Sequence, residues 1–157
     1  AIEQLSSLLR HILYENERSE ISINDEIEFI GNYISLMRLR VTNNVDIDFV
    51  TDIPEDCNTM IAPMIFISLV ENAFKHGISP TKPSFIHISI SVCNNTVKCL
   101  IKNSNYPKLE NDKSGHGIGL KQVGRRLELA YSGRYKWIKG VSEDKTTYTS
   151  EIVISSK

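Results

Sequence analysis

Cysteine, long apolar runs and a surplus of either charge are what this 157-residue sequence has least of. Its three cysteines, Cys57, Cys93 and Cys99, are odd in number and fall in no metal spacing such as C-x-x-C, which argues against a disulfide scaffold or a zinc module and fits a reduced, intracellular compartment. The longest apolar run, Ile61 to Val70, is interrupted by Pro63 and is about half the roughly 20 residues needed to cross a bilayer. Eighteen Lys plus Arg against 19 Asp plus Glu leave a net charge of −1, so no general basic field exists to hold a nucleic-acid backbone. A basic n-region followed by an apolar stretch is missing as well. The sequence opens inside a helical pattern, as a piece excised from a longer protein would.

What is present reads as one folded unit, long enough to bury roughly 70% of its unfolded surface. Ile2, Leu5, Leu9, Ile12 and Leu13 recur at helical spacing and predict a short amphipathic helix. A second helix starts near Ser22, a suitable N-cap with Asp25 three residues on, and carries Ile23, Ile27, Ile30, Ile34, Met37 and Val41 in one stripe as far as Asn43-Asn44. Val45, Ile47 and Phe49 alternate with Asp46, Asp48 and Val50 as a strand with one buried face. Pro63 and Gly77 bound a third helix over Ala62 to His76. Ile86 to Val92 and Val97 to Ile101 keep a period of two around the turn residues Asn94-Asn95, which predicts a hairpin. A polar loop from Asn103 to Ser114 then meets Gly115, Gly117 and Gly119, and a helix over Leu120 to Tyr131 follows, stopped by Gly133. Tyr135 to Lys139 and Tyr148 to Ile154 close the chain as strands. This order predicts an antiparallel or mixed sheet covered on one face by helices.

Two segments carry groups suited to chemistry. Asn72, Lys75 and His76 lie three or four positions apart on one helix face, with Glu71 at i, i+4 to Lys75. They form either an ordinary solvated face or a set able to hold a hydrated Mg²⁺ and the phosphates it bridges, beside apolar Leu69, Val70, Ala73 and Phe74. Ser114 to Leu120 offers backbone N–H groups free of Cβ hindrance at the positive end of a helix, either to an anion or simply as a mobile helix start. It is neither a Rossmann fingerprint, whose glycines follow a strand directly, nor a P-loop, which needs Gly-Lys-Ser or Gly-Lys-Thr.

Taken together, in this order and with 37 positions between them, the segments are far more specific. Glu71-Asn72-Ala73-Phe74-Lys75-His76-Gly77 resembles the N box, and Gly115-His116-Gly117-Ile118-Gly119-Leu120 the G2 box, of the histidine-kinase ATP-binding domain. Leu5 to Tyr14, Tyr33 to Arg40, and Gly119 to Tyr131 with Arg125-Arg126-Leu127 are similar to the LytS/YehU type of sensor histidine kinase.

The resemblance implies a Bergerat-type α/β two-layer sandwich over residues 21–157, preceded in residues 1–20 by the end of a helical dimerisation or linker region. ATP would lie between the N-box helix and a lid ending at the second glycine box. Asn72 would ligand Mg²⁺, Lys75 and His76 would approach the phosphates, and Gly115, Gly117 and Gly119, with His116 and Leu120, would enclose them. Glu71 would orient the water shell of the metal, or act as a base; a neutral imidazole, with pKa about 6.5, needs little help from one. The first glycine box of the family usually begins with an Asp that accepts from the adenine amino group. Here Asn103-Ser104-Asn105 stands in its place without the accompanying glycines, and Asn103 can still accept through its side-chain oxygen.

The family places its phosphoacceptor histidine N-terminal to the Leu5 to Tyr14 segment, before Ala1, and none of the four histidines here fills that role. His11 reads as packing or surface, and His87 points outward from a strand. Arg125 and Arg126 either reach the γ-phosphate or coat their helix. The partners implied are ATP, the upstream dimerisation and phosphoacceptor helices of a homodimeric kinase, and a response regulator, with no nucleic acid and no membrane contact by this part. The compartment implied is the cytoplasmic side of an inner-membrane sensor. Two other functions share the fold: an interaction module that has lost nucleotide binding, and an ATP-hydrolysing relative of the gyrase, chaperone and mismatch-repair enzymes.

Overall fold

A computed structural model describes residues 20–41, 44–106 and 118–155; the expected helix over Ile2 to Leu13 lies outside them. Strand β1 (Ile21–Ser22) leads straight into helix α1 (Ile23–Arg38), because Ser22 is extended at φ −71° and ψ 147° and its Oγ accepts from the Asp25 N–H at 3.1 Å. That is the N-cap foreseen from the sequence, and it satisfies one of the orphan donors of the first turn. α1 ends at Arg38, well before Asn43. The Arg38 guanidinium then donates to the Ile47 carbonyl at 3.1 Å, tying the helix end to strand β2 (Val45–Asp52).

Strand β3 (Met60–Ile61) pairs with β1, and helix α2 (Ile65–His76) follows. α2 starts three residues later than its bounding proline suggests. Met64 sits at φ +67°, a left-handed conformation no helix can continue through, and no side chain caps it. Next come β4 (Ser84–Cys93), β5 (Thr96–Ser104), helix α3 (Ile118–Tyr131), β6 (Tyr135–Val141) and β7 (Thr147–Ser155). The β4–β5 turn has both central residues, Asn94 and Asn95, at positive φ, as a two-residue I′ hairpin requires.

The five long strands lie in the order β2-β4-β5-β7-β6. β2 runs parallel to β4, while every other pair is antiparallel. A parallel pair needs a crossover connection, and α2 is part of it. Ile86, Ile88 and Ile90 stand opposite Asn103, Ile101 and Cys99, which in turn face Tyr148, Ser150 and Ile152, so these residues share one sheet face. Ile30 and Ile34 of α1, Phe66, Val70 and Ala73 of α2, and Val123 and Leu127 of α3 join this face in one core. Phe66 is fully buried, which contributes roughly 1.5 to 3 kcal/mol. The opposite face carries exposed His87, Lys98 and Lys102, and His87 bonds Asp46 at 3.1 Å. The molecule is thus an α/β two-layer sandwich with helices on one face. No helix among the described residues is long and apolar enough to cross a membrane.

Candidate nucleotide site

Two hydrogen bonds tie α3 to the start of α2. Arg126 on α3 donates to the Pro63 carbonyl at 3.1 Å, and the Ala62 N–H donates to the Tyr131 hydroxyl at 2.6 Å. The later part of α3 therefore lies against the start of α2. One end of the sandwich carries the last turn of α2 with Lys75 and His76, and α3 begins at Ile118. Arg126 is engaged by the Pro63 carbonyl at the other end of α2. Arg125 is exposed.

β5 delivers Asn103 to this same end. The residue continues the inward alternation of Val97, Cys99 and Ile101 and is 2% exposed. Its Nδ2 donates to the Ser104 carbonyl at 2.9 Å, which leaves Oδ1 as the acceptor of the amide. Tyr148 stands directly opposite Asn103 on β7, half-buried, its hydroxyl pKa raised by burial.

Gly77 closes the end of α2, but for a reason the sequence does not show. Its φ of −94° suits any residue. What excludes a side chain is proximity: a Cβ there would come within 2.6 Å of the Ala73 carbonyl oxygen, 2.9 Å of Asn103 Cβ and 3.0 Å of Asn103 Nδ2. Ser104 fastens this approach. Its Oγ donates to the Gly77 carbonyl and accepts from the Phe85 N–H at 3.1 Å, and the Tyr106 N–H donates to the His76 carbonyl at 3.2 Å.

On the α2 face, Asn72 is half-buried and Glu71 is exposed, yet the surrounding protein raises the Glu71 carboxyl pKa by desolvation. The Tyr33 ring of α1 meets Phe74 edge-on at 5.7 Å between centroids. The Tyr33 hydroxyl is pushed up to about 12 by burial and then by the Glu71 charge, with Arg40 pulling the other way. Glu71 therefore sits within reach of α1. Its neighbourhood favours a neutral carboxyl more than an exposed helix would.

Of the expected residues, the structure brings Lys75, His76 and Asn103 to one end, with Asn72 and Glu71 one turn back along α2. Gly119 lies in the first turn of α3, and Leu120 packs against the core. Gly115, His116 and Gly117 lie outside the described residues. Sequence reasoning missed Ser104 and the steric role of Gly77. It also missed Tyr148, whose place beside Asn103 depends on a register that no local pattern carries.

A family model described as histidine kinase matches residues 1–45. Sensor histidine kinase YpdA of Escherichia coli K12 is 31% identical over 139 residues, which are 83% of this chain and 24% of that protein. The chain belongs to the sensor histidine kinases. It spans about a quarter of the length of YpdA. Among solved structures, the catalytic domain of histidine kinase ThkA superposes at a TM-score of 0.60 with 18% identity, covering 87% of this chain and 94% of that one. Full-length ShkA in complex with AMPPNP superposes at 0.62 with 16% identity, covering 96% of this chain and 35% of that one. Both establish that the sandwich is the histidine kinase catalytic-domain fold.

Proposed function

We propose that this chain binds Mg·ATP at the end of the sandwich where α2 finishes and α3 begins, and presents the γ-phosphoryl group to a histidine on the dimerisation helices of its parent kinase. The observation that carries this reading is the close approach of the α2 terminus at Gly77 to the buried Asn103 of β5, which brings Lys75, His76 and Asn103 to one end. The residues suit the nucleotide. Asn103 Oδ1 accepts from the adenine amino group beside Tyr148, and Lys75 and His76 offset phosphate charge. Asn72, half-buried on α2, would hold Mg²⁺. When bound, the ion neutralises charge on the transferring group.

Phosphoryl transfer demands mostly positioning and charge neutralisation, and these side chains supply both. Glu71 would orient the metal's water shell. The phosphohistidine formed on the dimerisation helices passes its group to a response regulator, and the parent is a membrane sensor with this part in the cytoplasm.

The test is calorimetric titration of ATP with and without Mg²⁺ into the parent protein and Asn72→Ala. The parent is expected to bind with a clear Mg²⁺ dependence that the variant lacks, at unchanged melting temperature without ligand. A parent protein that binds no ATP would replace this reading with that of an interaction module. A variant that keeps full Mg²⁺ dependence would remove Asn72 from the metal.

A further inference from the structure

We propose that Ser104 and Gly77 act as a latch that holds the Asn103 side-chain amide in one orientation, so that the site presents an acceptor and selects a purine with a 6-amino group over one with a 6-oxo group. The inference rests on the nucleotide reading above and deepens it. An amide is ambiguous where a carboxylate is not: turned one way it accepts, turned the other it donates. An asparagine can read adenine faithfully only if something removes the second orientation.

The structure supplies that something from two sides. The Ser104 carbonyl accepts from Asn103 Nδ2 at 2.9 Å. Turning the amide over would set Oδ1 against that carbonyl, two acceptors face to face. The Gly77 backbone lies flush against the same side chain, where a Cβ would come within 2.9 Å of Asn103 Cβ. Ser104 Oγ keeps both in place by bonding at once to the Gly77 carbonyl of the α2 terminus and to the Phe85 N–H at the start of β4. Oδ1 is left as the acceptor of a side chain in a residue 2% exposed. Ser104 is thus a positioning residue: it touches no base and acts through Asn103. The latch also joins the end of α2, where phosphates are expected, to the residue that reads the base.

Titrate ATP and inosine triphosphate, each with Mg²⁺, into the parent protein, Ser104→Ala and Ser104→Thr. The parent is expected to prefer ATP by about tenfold, the gain or loss of one good hydrogen bond. Ser104→Ala should bring the preference below about threefold, through weaker ATP and equal or tighter inosine triphosphate binding, and Ser104→Thr should restore it. A merely structural serine would weaken both nucleotides in proportion; an unchanged ratio in Ser104→Ala therefore overturns the latch even if the variant melts lower. A second measurement needs no variant. In the nucleotide-free parent, the Asn103 side-chain amide protons should exchange with solvent far more slowly than those of exposed Asn94, and equal rates would refute the proposal. A parent that binds neither nucleotide while showing slow Asn103 exchange would overturn the nucleotide reading, and base selection with it, yet leave the pinned amide standing.

Discussion

Replacing Gly77 by alanine tests whether the close approach of α2 to β5 is real, because two effects of opposite sign compete. Gly77 has φ −94° and ψ −3°, where alanine is comfortable, so the substitution should stabilise by about 0.4 to 1 kcal/mol through the lost freedom of the unfolded chain. Against this, the new methyl would meet a backbone oxygen at 2.6 Å and Asn103 at 2.9 and 3.0 Å. The oxygen belongs to the last helical turn and cannot step aside without disturbing the hydrogen bond from the Gly77 N–H, which is 2.7 Å long. Forcing a methylene into such a space costs about 1 to 3 kcal/mol, and a contact this close with backbone belongs at the upper end. The net expectation is a loss of about 1 to 2 kcal/mol, or roughly 2 to 8 °C in melting temperature for a domain of this size. Thermal unfolding followed by circular dichroism measures it directly. A variant that melts at or above the parent temperature would show that the helix end stands off from Asn103, and the reasoning about the site would fail with it.

Asn103→Asp puts an oxygen where Nδ2 now donates to the Ser104 carbonyl; the nucleotide-free variant is expected to lose about 1 to 3 kcal/mol, and a melting temperature equal to the parent's would show that the amide is not pinned. Glu71 has a raised pKa in the folded state, so the stability it contributes is complete below its unfolded pKa and is lost as pH rises through the folded value. Glu71→Gln should accordingly melt higher than the parent at pH 7 and show no such advantage near pH 4, and a constant difference across that range would contradict the shift. Tyr131→Phe leaves the buried Ala62 N–H without its 2.6 Å acceptor; urea unfolding should report a loss of about 1 to 3 kcal/mol, and no loss would mean that water replaces the hydroxyl.

Where structure follows from neighbours in the chain, it was legible. The stripe from Ile23 to Ile34, the Ser22 cap, the alternation from Ile86 to Val92 and the Asn94-Asn95 turn each report a local period or a local steric demand, and each element is found where its residues put it. Pairings between distant segments were not legible. β1 and β3 are two residues each, too short for any period, and they exist because Ile21 and Ile61 meet across the fold. The parallel partnership of β2 with β4 leaves no mark in either strand. At the site, Asn72, Lys75, His76 and Asn103 were named from residue type, spacing and resemblance, whereas Ser104 looked like one more loop serine. Gly77 looked like a helix stop and is a contact surface. The start of α2 was misjudged because Pro63 suits a first turn, and only the left-handed Met64 shows that the turn begins after it.

The parallel pairing of β2 also orders events in time. β4 and β5 are joined by two residues and can find each other early, whereas β2 meets β4 only after about 31 residues have been looped between them. At roughly 0.6 kcal/mol per doubling of loop length, that is about 2.4 kcal/mol of additional closure entropy, for a strand bonded, among the described residues, to one neighbour. β2 should dock late and open early, and its amides should exchange before those of β5 and β7. Through Arg38 and the Ile47 carbonyl, α1 hangs on this same strand. A pull or twist entering by way of α1 would therefore load the sheet at its most easily parted seam, while the β4–β5 hairpin that carries Asn103 stays shut.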